Sequence, residues 1–151
     1  MTRHKLNFET SHHQFYILDK GSPFRTDSDN FWTQEATDDR LALEDGLLGV
    51  GTECYGEVRG DLQVLESASN EPDLSVYDHI VEGSLNLKSG ILQVFPCLDT
   101  TPALELELPP NTYRVRVYSS NLASVIRDSG DDYYVIKIWP EAYRGREVLK
   151  R

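Results

Sequence analysis

The sequence predicts an all-β, mainly antiparallel fold, a two-sheet β-sandwich of about eight or nine strands with one short helix. Apolar residues recur at every second position in short windows along the chain, which is the periodicity of strands with one buried face. Gly, Pro, Asn and Asp separate these windows, as is typical of turns. No strand pattern is followed by a long helical pattern, so a parallel β/α arrangement is not expected.

The windows divide the chain into successive strands. Residues 88–90 contain Ser89 and Gly90 and predict a hairpin turn between strands at 81–87 and 91–98. Residues 133–139 are rich in β-branched and aromatic side chains and end at Pro140, so they predict the last strand. The remaining windows contain the alternating residues Leu6 and Phe8, Phe15 and Ile17, Leu62 and Val64, Leu85 and Leu87, and Leu92 and Val94.

Two arrangements fit residues 104–117, where leucines alternate with glutamates and then valines with arginines. In a hairpin closed by residues 109–112, Glu107 lies opposite Arg114 and Glu105 opposite Arg116, which would fix the register by charge. In the alternative, the prolines make a bend that carries the chain from one sheet to the other. Tyr113 would then anchor a tyrosine corner.

One α-helix is expected, at residues 33–43. Thr33 can cap the first amides, and Glu35 stands in the first turn, where the helix dipole favours an anion. A second, single helical turn is expected at residues 121–126.

The chain of 151 residues is predicted to form one domain over residues 1–140. A basic tail, loosely held, is expected at 141–151.

Acidic residues are concentrated in the middle of the chain. Between Asp27 and Glu82 there are fifteen acidic residues against Arg40 and Arg59, although the whole chain has a net charge of only −10. Such segregation favours a cationic protein partner and disfavours direct binding of nucleic acid.

A row of carboxylates can also imitate a phosphate backbone in a basic cleft. Glu53, Glu57 and Asp61 follow one another at a spacing of four, so on a strand they would share one face. Trp32 and Tyr55 are the aromatic residues that could anchor a complex. The predicted partner-binding residues are Trp32, Glu35, Asp38, Asp39, Glu44, Asp45, Glu53, Tyr55, Glu57 and Asp61.

Metal and cofactor chemistry is not expected. His12 and His13 are adjacent and would point to opposite faces of a strand, and Cys54 and Cys97 each stand alone. The first twenty residues lack an apolar run, and no apolar stretch is long enough to span a membrane. A cytoplasmic protein with reduced thiols is therefore expected.

Two other functions remain open. The first is a calcium- or ligand-binding β-sandwich that uses loop carboxylates at one end. Its candidate residues are Asp27, Asp29, Asp38, Asp39, Asp128, Asp131 and Asp132. The second is an enzyme, for which Asp78 and His79 could supply a relay, but neighbours on a strand face opposite ways. Because no hydrolase, nucleotide-binding or zinc motif is present, a non-enzymatic protein is predicted.

Several short motifs resemble the bacterial competence protein J family. They are Ser11-His12-His13-Gln14-Phe15, Phe31-Trp32-Thr33 with Glu35-Ala36, Ala42 with Asp45-Gly46, Leu108-Pro109-Pro110-Asn111-Thr112-Tyr113, and Asp132-Tyr133-Tyr134-Val135-Ile136. The resemblance spans about residues 6–139, and Asn111 stands where the family pattern has Gly. It implies a protein that inhibits a DNA-entry nuclease by binding it. An immunity protein that binds a toxin nuclease would show the same excess of acidic residues.

Overall fold

The computed structural model describes residues 2–23, 26, 30–71 and 73–151. Within them the fold is all-β, as predicted, with one short α-helix and two mainly antiparallel sheets. The described residues contain eleven strands, more than the eight or nine expected. In chain order they are β1 (Thr2–Glu9), β2 (Gln14–Asp19), β3 (Leu41–Glu44), β4 (Leu47–Gly51), β5 (Glu57–Val64), β6 (His79–Leu87), β7 (Ile91–Pro96), β8 (Leu104–Glu107), β9 (Asn111–Ser120), β10 (Tyr133–Pro140) and β11 (Glu147–Lys150).

The strands form two sheets that face each other. Sheet A has the order β1-β5-β10-β9-β6-β11, and sheet B has the order β3-β4-β2-β7-β8. Strands β5 and β10 run parallel, while the other pairs of described strands are antiparallel. The main core lies between the sheets and includes Val58, Val115 and Ile136 from sheet A and Phe15 and Val94 from sheet B.

Residues 104–117 form the bend and not the hairpin. Strand β8 pairs with β7 in sheet B, and β9 pairs with β6 and β10 in sheet A. The Tyr113 hydroxyl donates a 2.6 Å hydrogen bond to the Pro109 carbonyl oxygen, which is the tyrosine corner. The proposed charge pairs of Glu107 with Arg114 and of Glu105 with Arg116 are wrong, because these strands lie in different sheets.

The predicted hairpin at residues 88–90 is wrong for the same reason. Strand β6 belongs to sheet A and β7 to sheet B, so the turn crosses between the sheets. Leu87 and Leu92, on either side of it, both enter the shared core. Gly90 has a φ of +75°, and the Ser89 amide donates a 2.9 Å hydrogen bond to the Asp19 carboxylate.

Helix α1 (Gln34–Asp39) is shorter than expected. Thr33 caps it as predicted, accepting a 3.0 Å hydrogen bond from the Ala36 amide. Arg40 adopts a φ of 62° and ends the helix. In β3, Leu41 points into the main core and Ala42 points to the outer face of sheet B. The apolar residues after Asp39 therefore follow the strand period and do not continue the helix. The second helical turn is a 3₁₀ turn at Leu122–Ser124.

A smaller apolar cluster covers the outer face of sheet B. Phe31 and Ala36 pack there against Tyr16, Leu18, Ala42, Leu47 and Phe95. Gly49 permits this packing, because a Cβ at that position would lie 2.8 Å from Cζ2 of Trp32 and 2.9 Å from Cε2 of Phe31. Residues 30–39 are therefore fixed to the sheet by apolar contact.

The C-terminal segment, expected to be a loosely held tail, contains β11, which pairs with the edge of β6. Arg144 donates to the Glu82 carboxylate at 2.7 Å, and Arg146 donates to the Asp39 carboxylate at 2.9 Å. Residues 141–151 are thus joined to both sheets by hydrogen bonds and ion pairs.

Candidate functional site

One end of the sandwich gathers the connections β1–β2, β4–β5, β7–β8 and β9–β10. We call residues 9–13, 52–57, 97–103 and 121–132 the loop end. Hydrogen bonds link these segments to one another. The Cys97 amide donates to Thr10 Oγ1 at 2.7 Å, and the Cys54 amide donates to Asp132 Oδ2 at 3.2 Å. The His13 amide joins the two pairs by donating to the Tyr55 carbonyl oxygen at 3.3 Å. The four connections therefore form one continuous surface.

Five predicted partner-binding residues lie at this end or beside it, and one of them, Glu57, closes its second segment. Trp32, Asp38 and Glu53 line a shallow depression of 430 Å³, together with His13, Thr37, Arg40, Gly51 and Thr52. Tyr55 adjoins it, with its ring 5.3 Å from the His13 ring. Trp32 packs edge-to-face on Phe31, with ring centroids 5.6 Å apart. Its indole Nε1 is buried and has no hydrogen-bond acceptor among the described residues.

Glu35 and Asp39 are instead engaged with the C-terminal segment. Asp39 accepts hydrogen bonds from Arg151 at 2.7 Å and Arg146 at 2.9 Å, and its side chain is only 9% exposed. Burial raises the pKa of Asp39, but the two guanidinium groups outweigh it and lower that pKa below its ordinary value. Glu35 lies 3.2 Å from Arg146. The Asp39 charge is thus neutralised inside the chain.

Glu44 and Asp45 lie at the opposite end of the sandwich, beside the β3–β4 turn. They line a separate depression of 500 Å³ together with Ser84, Asn86 and Tyr143. Asp45 lies 3.3 Å from Lys88. These two carboxylates are therefore separated from Asp38 and Glu53 by the length of the strands.

Glu57 and Asp61 share the outer face of β5, as the spacing predicted, but Glu53 lies in the loop before that strand. Glu57 is 3.5 Å from Arg59, and Asp61 is 3.8 Å from Arg3. The ten predicted residues therefore occupy several places on the molecule and do not form one anionic surface.

The loop end also exposes apolar side chains that the sequence did not identify as functional. Leu98 is 82% exposed, Ile126 is 74% exposed and Tyr55 is 39% exposed. The strand predicted at 91–98 is too long, because β7 ends at Pro96. No sequence signal marked the two residues as exposed, since Leu98 continues the alternation of Leu92 and Val94 and Ile126 lies in the expected helical turn.

Backbone strain is concentrated at the same end. His12, His13, Leu98, Asn121 and Arg127 all have φ between 57° and 64°, a region that non-glycine residues seldom occupy. The expectation that His12 and His13 point to opposite faces of a strand is wrong, because both belong to the turn closed by the Ser11–Gln14 bridge. Their rings lie 5.7 Å and 5.3 Å from the Tyr55 ring.

The loop carboxylates do not converge on a metal site. Asp132 accepts a 2.6 Å hydrogen bond from the Tyr134 hydroxyl, and burial together with this carboxylate raises the pKa of Tyr134. Asp131 lies 3.9 Å from Arg59. Within the described residues no three His, Cys, Asp or Glu side chains are placed to hold a metal ion. Asp27 and Asp29 of the calcium hypothesis lie outside the described residues.

Asp78 and His79 do not form a relay. Asp78 accepts a 2.9 Å hydrogen bond from the Leu122 amide, whereas His79 is buried and bonds through Nε2 to the Asp39 carbonyl oxygen at 2.9 Å. Cys54 and Cys97 are free thiols. In the described part of the chain, no helix is long and apolar enough to cross a membrane.

The outer face of sheet A contains a buried ionic cluster that sequence reasoning missed. Glu82, fully buried, accepts hydrogen bonds from Arg114 and Arg116 at 2.6 Å and from Arg144 at 2.7 Å. Arg114 is also fully buried, although the sequence placed it on the solvent face. Arg116 stacks over Trp139, 4.9 Å from the ring centroid. This cluster joins the C-terminal segment to the sheet.

These features define a two-sheet β-sandwich with a helical segment packed outside the smaller sheet. The chain shares this fold with the crystal structure of ComJ, inhibitor of the DNA degrading activity of NucA, from Bacillus subtilis. The TM-score is 0.70 at 17% identity, covering 93% of this chain and 100% of that one. The structure named crocagin biosynthetic gene J aligns with a TM-score of 0.57 at 19% identity, covering 94% of this chain and 100% of that one.

The resemblance to the competence protein J family is thereby confirmed at the level of the fold. No protein-family model matches the chain, and no curated protein sequence matches it.

Proposed function

We propose that this protein is a bacterial, cytoplasmic binding module without enzymatic activity that inhibits a DNA-degrading nuclease by occupying its DNA cleft. The observation that carries the proposal is the fold shared with ComJ, a nuclease inhibitor, over 93% of this chain and the whole of that one. A cleft that binds DNA is basic, because it must neutralise phosphates. The acidic chain has the complementary charge.

The contact residues we propose are those of the predicted set that lie together at the loop end, namely Trp32, Asp38, Glu53, Tyr55 and Glu57. Asp38 is exposed and bonded only to Gln34 Nε2, at 2.9 Å, among the described residues. Glu35, Glu44, Asp45 and Asp61 contribute to the long-range field that steers a cationic partner. Asp39 serves the fold through its two arginines.

The first experiment tests inhibition itself. Purified protein is added to a lysate of the source cells, the rate of DNA degradation is measured, and the same lysate is passed over the immobilised protein. We expect a slower rate and a flow-through depleted of DNA-degrading activity, with that activity recovered once the bound nuclease is eluted and separated from the protein. An unchanged rate together with an undepleted flow-through would overturn the proposal.

A charge-matched pair of variants tests the contact residues. Asp38→Asn with Glu53→Gln removes two carboxylates at the depression, of which Glu53 is paired with Arg40 at 3.1 Å. Glu105→Gln with Glu107→Gln removes two from the exposed edge strand β8. The first variant should slow association with the retained nuclease and flatten its salt dependence. Equal association rates for the two variants would remove these residues from the contact.

A further inference from the structure

The exposed apolar side chains of the loop end have no covering element among the described residues. Leu98 and Ile126 are more exposed than Tyr55, yet all three project from connections that hydrogen bonds hold together. Tyr55 is held by the two histidine rings, and Ile126 by its bridge to Ser129. Ordered apolar groups of this kind lose little conformational entropy when a partner covers them.

The loop end is also strongly acidic. Its four segments contain Glu9, Glu53, Glu57, Asp99, Asp128, Asp131 and Asp132, and among Lys and Arg they contain only Arg127. Glu9 and Glu57 lie directly opposite each other in the β1–β5 register, and like charges at such positions repel. Arg59 is shared between Glu57 at 3.5 Å and Asp131 at 3.9 Å. Glu9, Asp99 and Asp128 have no ion pair with any described cation.

The opposite end has no comparable excess of carboxylates. The turns at residues 20–23, 45–46, 88–90, 108–110 and 141–146, together with the strand ends Asp19, Glu44 and Glu107, contain four cations and five carboxylates. The cations are Lys20, Lys88, Arg144 and Arg146, and the other two carboxylates are Asp45 and Glu141. A basic surface that approaches the protein is therefore attracted more strongly to the loop end than to the opposite end.

We infer that the loop end is the docking surface for a basic protein, and that Tyr55, Leu98 and Ile126 enter an apolar recess bordered by the partner's lysine and arginine side chains. The inference rests on the proposed function in naming that partner as the inhibited nuclease. Apolar contact supplies the stability of the complex, and the carboxylates of the loop end relieve their mutual repulsion against the partner's cations.

The test maps contacts with two probes. Amide hydrogen exchange is measured on the protein alone and bound to the nuclease retained from the source-cell lysate. Backbone amide NMR shifts are measured with an octamer of lysine, which needs no nuclease. We expect slowed exchange in residues 9–13, 52–57, 97–103 and 121–132, and octalysine shifts concentrated in the same segments.

Variants separate apolar contact from general charge. Leu98→Asn with Ile126→Thr removes apolar surface while suiting the positive φ at residue 98 and the extended backbone at 126. Tyr143→Ser is the matched control, because Tyr143 is 70% exposed and lines the depression at the opposite end. The first variant should weaken nuclease retention at least tenfold without changing the unfolding midpoint, and the control should leave retention unchanged.

The outcomes distinguish the two proposals. A retained nuclease that protects other segments overturns the docking surface and leaves inhibition intact. If no nuclease is retained but octalysine shifts concentrate at the loop end, the cationic docking surface stands and the proposed function falls. With no nuclease retained and octalysine shifts spread evenly over the protein, both are overturned.

Discussion

Tyr113 and Pro109 are joined across the bend between the two sheets, where the Tyr113 hydroxyl donates to the Pro109 carbonyl oxygen at 2.6 Å. The Tyr113 ring is 2% exposed and belongs to the main core. Replacing Tyr113 by Phe keeps the ring and leaves the carbonyl without this donor. We expect the free energy of unfolding to fall by about 0.5–1.5 kcal/mol, the net value of one such hydrogen bond.

Urea unfolding measures this difference, with Tyr143→Phe as the control because that tyrosine is exposed. Equal stabilities of Tyr113→Phe and the unmodified protein would show that the hydroxyl does not hold the bend.

The Glu82 cluster predicts a large loss of stability. Glu82→Gln removes the negative charge that three guanidinium groups share in a buried site. Breaking a buried ion pair from one side costs about 3–5 kcal/mol, because the remaining charge has no counterion. Glu107→Gln, on the exposed face of β8, should change the free energy of unfolding by less than about 0.5 kcal/mol. Similar midpoints for the two variants in chemical denaturation would contradict this assignment.

His79 predicts a loss of stability in mild acid. Burial lowers the pKa of His79 below its ordinary value, and the Arg40 and Arg151 charges lower it further, against the hydrogen bond to Asp39. Below about pH 6.5 the unfolded chain binds a proton that the folded chain does not, so the unfolding free energy decreases as pH falls. Unfolding measured at about pH 7.5 and about pH 5.5 should show this decrease.

His79→Gln keeps a donor for the Asp39 carbonyl and removes the titrating ring. It should therefore reduce the pH dependence over the same interval. A slope as steep as that of the unmodified protein would place the titrating group elsewhere.

The ion pairs of Asp39 predict protection of the C-terminal segment from trypsin. Arg146 donates to the Asp39 carboxylate and to the Leu41 carbonyl oxygen. Asp39→Asn leaves Arg146 and Arg151 without their shared counterion, so cleavage after Arg146 should accelerate several-fold. Asp38→Asn is the neighbouring control, because Asp38 bonds only to Gln34 among the described residues. Mass spectrometry of timed digests follows the cleavage, and equal rates in both variants would rule out this role of Asp39.

The alternating apolar pattern predicted the sandwich and eight of the eleven described strands, but β3 was predicted as helix and β4 and β11 were not predicted. The pattern could not assign strands to sheets. Leu87 and Leu92 are buried in the same core whether their strands pair as a hairpin or lie in different sheets. The sequence left both a hairpin and a bend with a tyrosine corner open at residues 104–117, because Pro109 and Tyr113 are compatible with either. The predicted helix was longer than α1, because the position of Leu41 suits both the helical and the strand period.

The candidate site was only partly accessible from sequence. Trp32, Asp38, Glu53 and Tyr55 do lie together, because α1 and the β4–β5 connection meet at the loop end. Neutralisation of Asp39 depends on Arg146 and Arg151, which lie more than a hundred residues further along the chain. Counting charges within a short stretch of sequence cannot detect an ion pair between residues so far apart along the chain.

The parallel pairing of β5 with β10 also governs when sheet A can be completed. Tyr134 lies beside Gly60 in that register, so β5 pairs with a strand about seventy residues further along the chain. During synthesis, β5 has an open edge until residues 133–140 have left the ribosome. The larger sheet therefore cannot close before β10 is available, and its contacts of long sequence separation make slow closure the expected behaviour.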